Sequence, residues 1–267
     1  MSFGPQVPEP GMRQRARDCL ARAKFQASDE SSLRYACLEL RFCIEFLALD
    51  RLQAYLKEVA DDALKKWTPK EIINEILEVD PQGDSSVSLS YAIKSPSDAE
   101  ADELKSLGED RRFSIKWANK SYNTLGNFLH APTLDQLKSG KSPEANVIQE
   151  RITAIVKELE LVLASPIYGV NFGNFFKLDC VECGTKIRRR AESIPQSGLV
   201  CSNRACGAVY EVTKTESGFS YVLKTMPFTC KCGHTMYFPS SQLRMNATFN
   251  CQACCTEHRI VWAVVPD

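Results

Sequence analysis

Between Asp29 and Trp67 the chain contains no Gly and no Pro, and its apolar residues recur at helical spacing. Leu33, Ala36, Cys37, Leu40, Ile44 and Leu47 form one stripe, while Leu38, Phe42, Phe46 and Leu49 spread the apolar surface almost around the axis. A helix coated on most sides is a buried one, so this stretch is expected to be a central helix, with Ser28 or Asp29 as its N-cap. Upstream, residues 1–10 hold three prolines and read as a loose arm, and the basic run Arg13, Arg15, Arg17 opens a short helix near Met12.

Thr68, Pro69 and Glu71 stand in the order of an N-cap, a first helical proline and an N3 carboxylate. That order predicts a helix from Pro69 to about Val79, where Asp80 and Pro81 stop it. Val87, Leu89, Tyr91 and Ile93 alternate with polar residues, as do Phe113, Ile115 and Trp117, which predicts two short strands around a helix at about Ser97 to Leu107. Asn119 to Ala131 reads as a further helix ended by Pro132. Ser142, Pro143 and Glu144 open the last one, with Ile148, Ile152, Ile155, Leu159 and Val162 as its core stripe, and Ser165-Pro166 closes the helical part.

Beyond Pro166 the texture changes to Gly, aromatic and Cys-rich segments with short β-type runs around Ala208–Val212, Tyr221–Leu223 and Arg259–Val265. The predicted fold class is therefore α plus small β. The expected parts are an N-terminal arm and short helix (1–28), a mainly α-helical domain (29–166), and two zinc ribbons (176–224 and 225–267).

Cysteine spacing carries the strongest chemical signal. Cys180 and Cys183 are followed after seventeen residues by Cys201 and Cys206; Cys230 and Cys232 are followed after eighteen by Cys251 and Cys254. Two knuckles joined by a hairpin of that length deliver four thiolates to a tetrahedral zinc, so two zinc ions are expected. A four-cysteine site has no open position for substrate, which makes both zincs structural. A glycine follows three of the four knuckles, where the backbone turns tightly. Cys255 stands beside Cys254 as an alternative ligand, and His234 and His258 are close enough in sequence to be alternatives too.

Composition adds little bias: Lys plus Arg and Asp plus Glu number 33 each. No apolar h-region opens the chain and no run of about 18 uninterrupted apolar residues occurs, so a cytoplasmic protein without a membrane span is expected. Reduced thiols in that compartment favour metal over disulfides. From Lys177 to Asp267 there are 11 basic and 7 acidic side chains, a surplus that eight thiolates and two zinc ions cancel. Lys186, Arg188, Arg189 and Arg190 still form a local basic cluster that could contact the phosphates of a nucleic acid.

Two further groups are candidates for chemistry. Arg34, Arg41 and Glu45 make a narrow polar stripe on the long helix, and Arg41 and Glu45 are expected to pair with each other or with a neighbouring helix. Asn123, Asn127 and His130 share one face of the helix that ends before Pro132, and His130 is the only histidine outside the cysteine-rich region. A neutral imidazole beside amides can act as general base or acid near pH 7.

A long helix bearing Arg and Glu and a later helix ending in His resemble the HEPN superfamily of ribonucleases and nucleotide-binding domains, over roughly residues 29 to 165. The resemblance implies RNA cleavage without metal, homodimerisation that brings two motifs together, and a place in bacterial toxin or phage-defence systems. The family motif sets an Arg before its His with four to six residues between them; here those positions hold Leu125, Thr124 and Asn123, so Arg41 would have to supply the cation. Under this reading RNA or another nucleic acid is the partner, and His130, Arg41, Glu45, Asn123 and Asn127 are the catalytic candidates. The competing expectation is a non-enzymatic adaptor that dimerises or docks a protein through the helical domain and uses its ribbons as binding modules.

Overall fold

The apolar stripe around Leu40 and Ile44 becomes the axis of a helical bundle. Helix α1 (Met12–Gln26), helix α3 (Pro69–Val79), helix α4 (Ile115–Leu129) and helix α6 (Ala145–Leu163) all pack on helix α2 (Leu33–Gln53). The computed structural model describes residues 11–92, 104–140, 143–194, 198–216 and 218–261. Ala36, Cys37, Leu40, Cys43 and Ile44 of α2 are fully buried and share one core with Ala16 and Ala23 of α1, Leu125 of α4 and Ile152 and Leu159 of α6. All five residues of the stripe expected on α6, from Ile148 to Val162, lie in that core.

Local signals set several boundaries. The Thr68 hydroxyl accepts from Glu71 N, with Pro69 as the first residue of α3. Asp29 caps not α2 itself but a single 3-10 turn, Glu30–Ser32, that leads into it. A short helix α5 (Leu134–Ser139), not anticipated from periodicity, starts from a capping box between Thr133 and Gln136.

Three expectations are corrected. Helix α2 ends at Gln53 rather than near Trp67, and the chain then runs through turns into a 3-10 segment, Asp61–Lys65. The alternation of Phe113, Ile115 and Trp117 is not a strand: the Ser114 hydroxyl accepts from Trp117 N and opens α4. Phe113 and Trp117, four residues apart, stack with ring centroids at 5.2 Å. Residues 105–107 are not helical but belong to strand β2 (Lys105–Asp110), paired antiparallel with β1 (Val87–Tyr91). Leu104 is likewise outside any helix, and residues 97–103 of the expected helix, with Ile93, lie outside the described residues.

A buried polar network ties the loops of this bundle together. Arg112 donates to Asp110 at 2.7 Å and to the Gly83 carbonyl at 3.2 Å, and the Tyr55 hydroxyl donates to Asp80 at 2.7 Å. Burial and donation to Asp80 raise the Tyr55 phenol to about 12, keeping it a donor.

The chain divides into two compact units: Met1–Leu56 with Lys65–Phe172, and Lys57–Leu64 with Gly173–Asp267. The second consists of small antiparallel sheets. Strand β3 (Phe175–Asp179) pairs with β4 (Lys186–Arg190), β5 (Leu199–Val200) with β6 (Val209–Thr215), and β6 with β7 (Gly218–Leu223). Strand β8 (Thr225–Thr229) pairs with β9 (Thr235–Pro239), and β10 (Thr248–Asn250) with β11 (Glu257–Arg259). Among the described residues no helix is long and apolar enough to cross a membrane.

Candidate metal centres and a histidine cleft

Four hairpins of the second unit, β3–β4, β5–β6, β8–β9 and β10–β11, turn at a cysteine knuckle, and pairs of knuckles face each other. Cys180, Cys183, Cys201 and Cys206 bring their sulfurs within 4.8 Å of one another, and so do Cys230, Cys232, Cys251 and Cys254. Four sulfurs about 2.3 Å from a common tetrahedral centre stand about 3.8 Å apart. The closest cross-knuckle pairs are 3.9 Å (Cys180–Cys206), 3.7 Å (Cys183–Cys201), 3.6 Å (Cys230–Cys254) and 3.6 Å (Cys232–Cys251). Both groups have the donor type and spacing to hold one metal ion each.

The backbone explains why the knuckles close. The first cysteine of each donates its N–H across the turn: Cys180 to Thr185 O, Cys201 to Ala208 O, Cys230 to His234 O and Cys251 to Thr256 O. The residue after the second cysteine adopts positive φ in all four, at 72° in Gly184, 69° in Gly207, 88° in Gly233 and 59° in Cys255. Cys255 therefore fills the left-handed turn position that glycine holds elsewhere, which leaves Cys254 as the ligand of the second cluster.

Groups around the sulfurs favour thiolate at two of the exposed corners, Cys183 and Cys254, but not at Cys232, whose neighbouring cysteines raise it. The Thr185 hydroxyl and backbone N–H hold Cys183 down to about 6, and Thr256 does the same for Cys254. Burial pushes Cys201 up. A small apolar layer lies beneath each cluster: Phe176, Leu178, Ile187 and Tyr210 under the first, Met236 with Phe228, Phe238 and Phe249 under the second. Layers this thin are of the kind that a metal site would reinforce.

The basic cluster of the first hairpin turns out to be largely engaged within its own unit. The Arg188 guanidinium lies 3.5 Å from the Phe175 ring centroid and 3.6 Å from the Glu58 carboxylate. Arg189 donates to the Glu58 carbonyl, and Arg190 also sits over Phe175. Lys186 is exposed.

In the helical unit the polar stripe of α2 meets α4 at two places. Arg41 stacks 4.1 Å above the Tyr122 ring, and the Tyr122 hydroxyl donates to Glu45 Oε1 at 2.7 Å. Arg41 and Glu45 thus partner the same residue of the neighbouring helix. Gly126 leaves the room: a Cβ there would come within 3.1 Å of Arg41 Nη1. Burial raises the Glu45 carboxyl above its usual value, against the opposing pull of the Tyr122 hydroxyl.

His130 ends α4 as its C-cap and opens onto a different feature. A cleft of about 620 Å³ is bounded by Arg34, Asn127, His130, Thr133 and Gln136, with Ile148 among its apolar lining. Arg34, Asn127 and His130 are exposed, and among the described residues nothing hydrogen-bonds or ion-pairs with their side chains. The structure brings Asn127 and His130 together with Arg34, and sets Arg41 and Glu45 at Tyr122; Asn123 donates instead to Asn119 at 3.3 Å. Arg34 was legible as a member of the α2 stripe, but its place beside His130 depends on the way α2 and α4 pack.

Comparison with known proteins finds no protein family, curated protein or solved structure that matches this chain.

Proposed function

We propose that this chain is a zinc-ribbon protein that acts on RNA, with two structural zinc ions in its ribbon unit and a metal-independent cleavage cleft in its helical unit. One observation carries the catalytic part: an imidazole, a guanidinium and an amide, none engaged elsewhere, line a single cleft at His130, Arg34 and Asn127. Zinc is favoured over other metals because four thiolates in closed tetrahedral spacing are its usual structural set.

In this reading His130 takes the proton from a ribose 2′-hydroxyl, and the freed oxygen attacks the adjacent phosphorus. Arg34 balances the charge that builds on the phosphoryl oxygens, and Asn127 orients them. The bond from phosphorus to the 5′-oxygen breaks, that oxygen takes a proton from the imidazolium, and the products are a 2′,3′-cyclic phosphate and a 5′-hydroxyl. Arg34 supplies the cation that the HEPN-type motif would place before His130, which keeps a role in a bacterial toxin or phage-defence setting in view. Lys186 is the remaining basic contact of the first ribbon for nucleic acid, and a reducing cytoplasmic setting suits eight metal-binding thiols.

A second reading, an adaptor that dimerises or docks a protein through α2, draws on one feature. Tyr35, Leu38 and Phe42 on that helix are 62%, 38% and 41% exposed and line one side of it.

The test is incubation of the parent, His130→Ala and Arg34→Ala proteins with labelled single-stranded RNA and tRNA in the presence of chelator-treated buffer, with native mass spectrometry on the same samples. Cleavage by the parent, lost in both variants and ending in a cyclic phosphate, is the expected result. Two zincs with neither cleavage nor RNA binding would move the assignment to the adaptor, and fewer than two would remove the tandem zinc sites.

A further inference from the structure

Segment Lys57–Leu64 follows helix α2, yet it belongs to the ribbon unit. What holds it there is the first metal-binding hairpin. Glu58 is completely buried. Its carbonyl accepts from Arg189 Nη1, and its carboxylate lies 3.6 Å from Arg188 Nη1. The same nitrogen of Arg189 reaches Ser202 Oγ at 3.3 Å, and Arg204 Nη1 meets Asp62 Oδ2 at 3.1 Å.

Ser202 and Arg204 lie inside the knuckle between Cys201 and Cys206. That loop keeps its shape through Cys206 N donating to Asn203 O at 3.0 Å and Ala205 N to Asn203 Oδ1 at 3.1 Å, but its two ends are sulfurs of the first cluster. Thiolates brought to within 4.8 Å of one another repel unless a cation sits among them. Without one the thiols take up protons and nothing bridges the two knuckles, which frees the loop that carries Ser202 and Arg204.

We propose that the first metal site and segment Lys57–Leu64 form a metal-linked clasp: the segment is held in the ribbon unit while Cys180, Cys183, Cys201 and Cys206 are closed on a metal, and is released when that metal leaves. The clasp rests on the metal reading above and extends it to regulation of the chain between α2 and α3. Burial of Glu58 makes the release cooperative, since a carboxylate that loses its arginine moves toward water rather than staying buried alone. Linkage makes the clasp reciprocal: weakening the grip on the segment must weaken retention of the first metal by the same factor. The contacts named here come from the first ribbon, so the second metal site serves as an internal control.

The experiment is hydrogen–deuterium exchange on the full zinc-loaded chain, comparing the parent with Cys206→Ser and Cys254→Ser. Amides of residues 57–64 are expected to exchange at least about tenfold faster in Cys206→Ser and at the parental rate in Cys254→Ser. Because a cysteine variant could unravel its whole ribbon, Arg204→Ala and Glu58→Gln provide the reverse arm with every ligand in place. Both should release one of two zincs faster to a chromogenic chelator and the other at the parental rate. Parental exchange in Cys206→Ser, equal acceleration in both cysteine variants, or parental zinc release in Arg204→Ala would each overturn the clasp. A parent without zinc would overturn the metal reading itself, a result distinct from two zincs beside an unresponsive segment.

Discussion

Tyr210 and His258 occupy the same place in the two ribbons, each four residues past the last cysteine of its own cluster, and each reaches the sulfur of that cluster's first cysteine. Tyr210 Oη donates to Cys180 Sγ at 3.1 Å, and His258 Nε2 lies 3.3 Å from Cys230 Sγ. The tyrosine is fully buried and also accepts from Val181 N at 2.9 Å. The histidine is half-buried between the rings of Phe228 and Phe249. One position, beside the first sulfur of a cluster, is thus held by a phenol in a closed setting and by an imidazole in an open one.

Tyr210→Phe should therefore harm its ribbon more than His258→Phe harms the other. The first variant removes a donor to sulfur and also the acceptor of the Val181 N–H, at a cost of about 0.5–1.5 kcal/mol for each hydrogen bond. Metal transfer to a chelator should be faster from one site of Tyr210→Phe, and thermal melting should show the stability loss. Equal and small effects in both variants would mean that these two side chains do not support the clusters.

The Glu45 carboxyl yields a pH dependence with a definite sign. Its folded-state pKa is raised above the usual 4.5, chiefly by burial, so the folded protein binds this proton more readily than the unfolded chain. Stability contributed by the group is then present below 4.5 and is lost as pH rises through the folded value. Glu45→Gln keeps an acceptor for the Tyr122 hydroxyl and removes the titration. Its melting temperature relative to the parent should climb with pH across that window and level off above it. A difference that stays constant from pH 4 to 7 would contradict this.

Arg112 and Asp110 form a buried pair, with side chains only 3% and 7% exposed. Arg112→Met should cost about 3–5 kcal/mol, because it leaves a buried carboxylate without its cation. The double variant Arg112→Met/Asp110→Leu should recover part of that loss, which chemical denaturation of both proteins would measure. No recovery would show that Asp110 matters mainly through Val170 N, to which it is also bonded at 3.2 Å.

Features written in local chemistry could be read from the chain alone. The start of α3 at Thr68, Pro69 and Glu71 is one, the buried stripe of α6 another, and the eight clustered cysteines a third. What escaped depends on distant partners. Nothing local ends α2 at Gln53; residues past it are drawn instead to Arg188, Arg189 and Arg204, more than a hundred positions later. Phe113, Ile115 and Trp117 alternate like a strand, but the serine between the first two is an N-cap, and a cap hydroxyl outranked a three-residue pattern. The same limit applies to the cleft. His130 and Asn127 share a helix face by spacing, whereas Arg34 joins them only through packing, and the arginines at 188 to 190 could be counted but not assigned to Glu58 and Phe175.

The left-handed turn at Cys255 gives the molecule an experimental handle. Eight cysteines sit in the two clusters, Cys19, Cys37 and Cys43 are buried in the helical unit, and Cys255 alone is exposed outside both groups. With both clusters metal-bound, a maleimide dye should therefore attach once per chain, at a site one residue from the second cluster. Stripping the metal should raise the count of fast-reacting thiols to nine, so dye uptake becomes a direct gauge of how many clusters are filled.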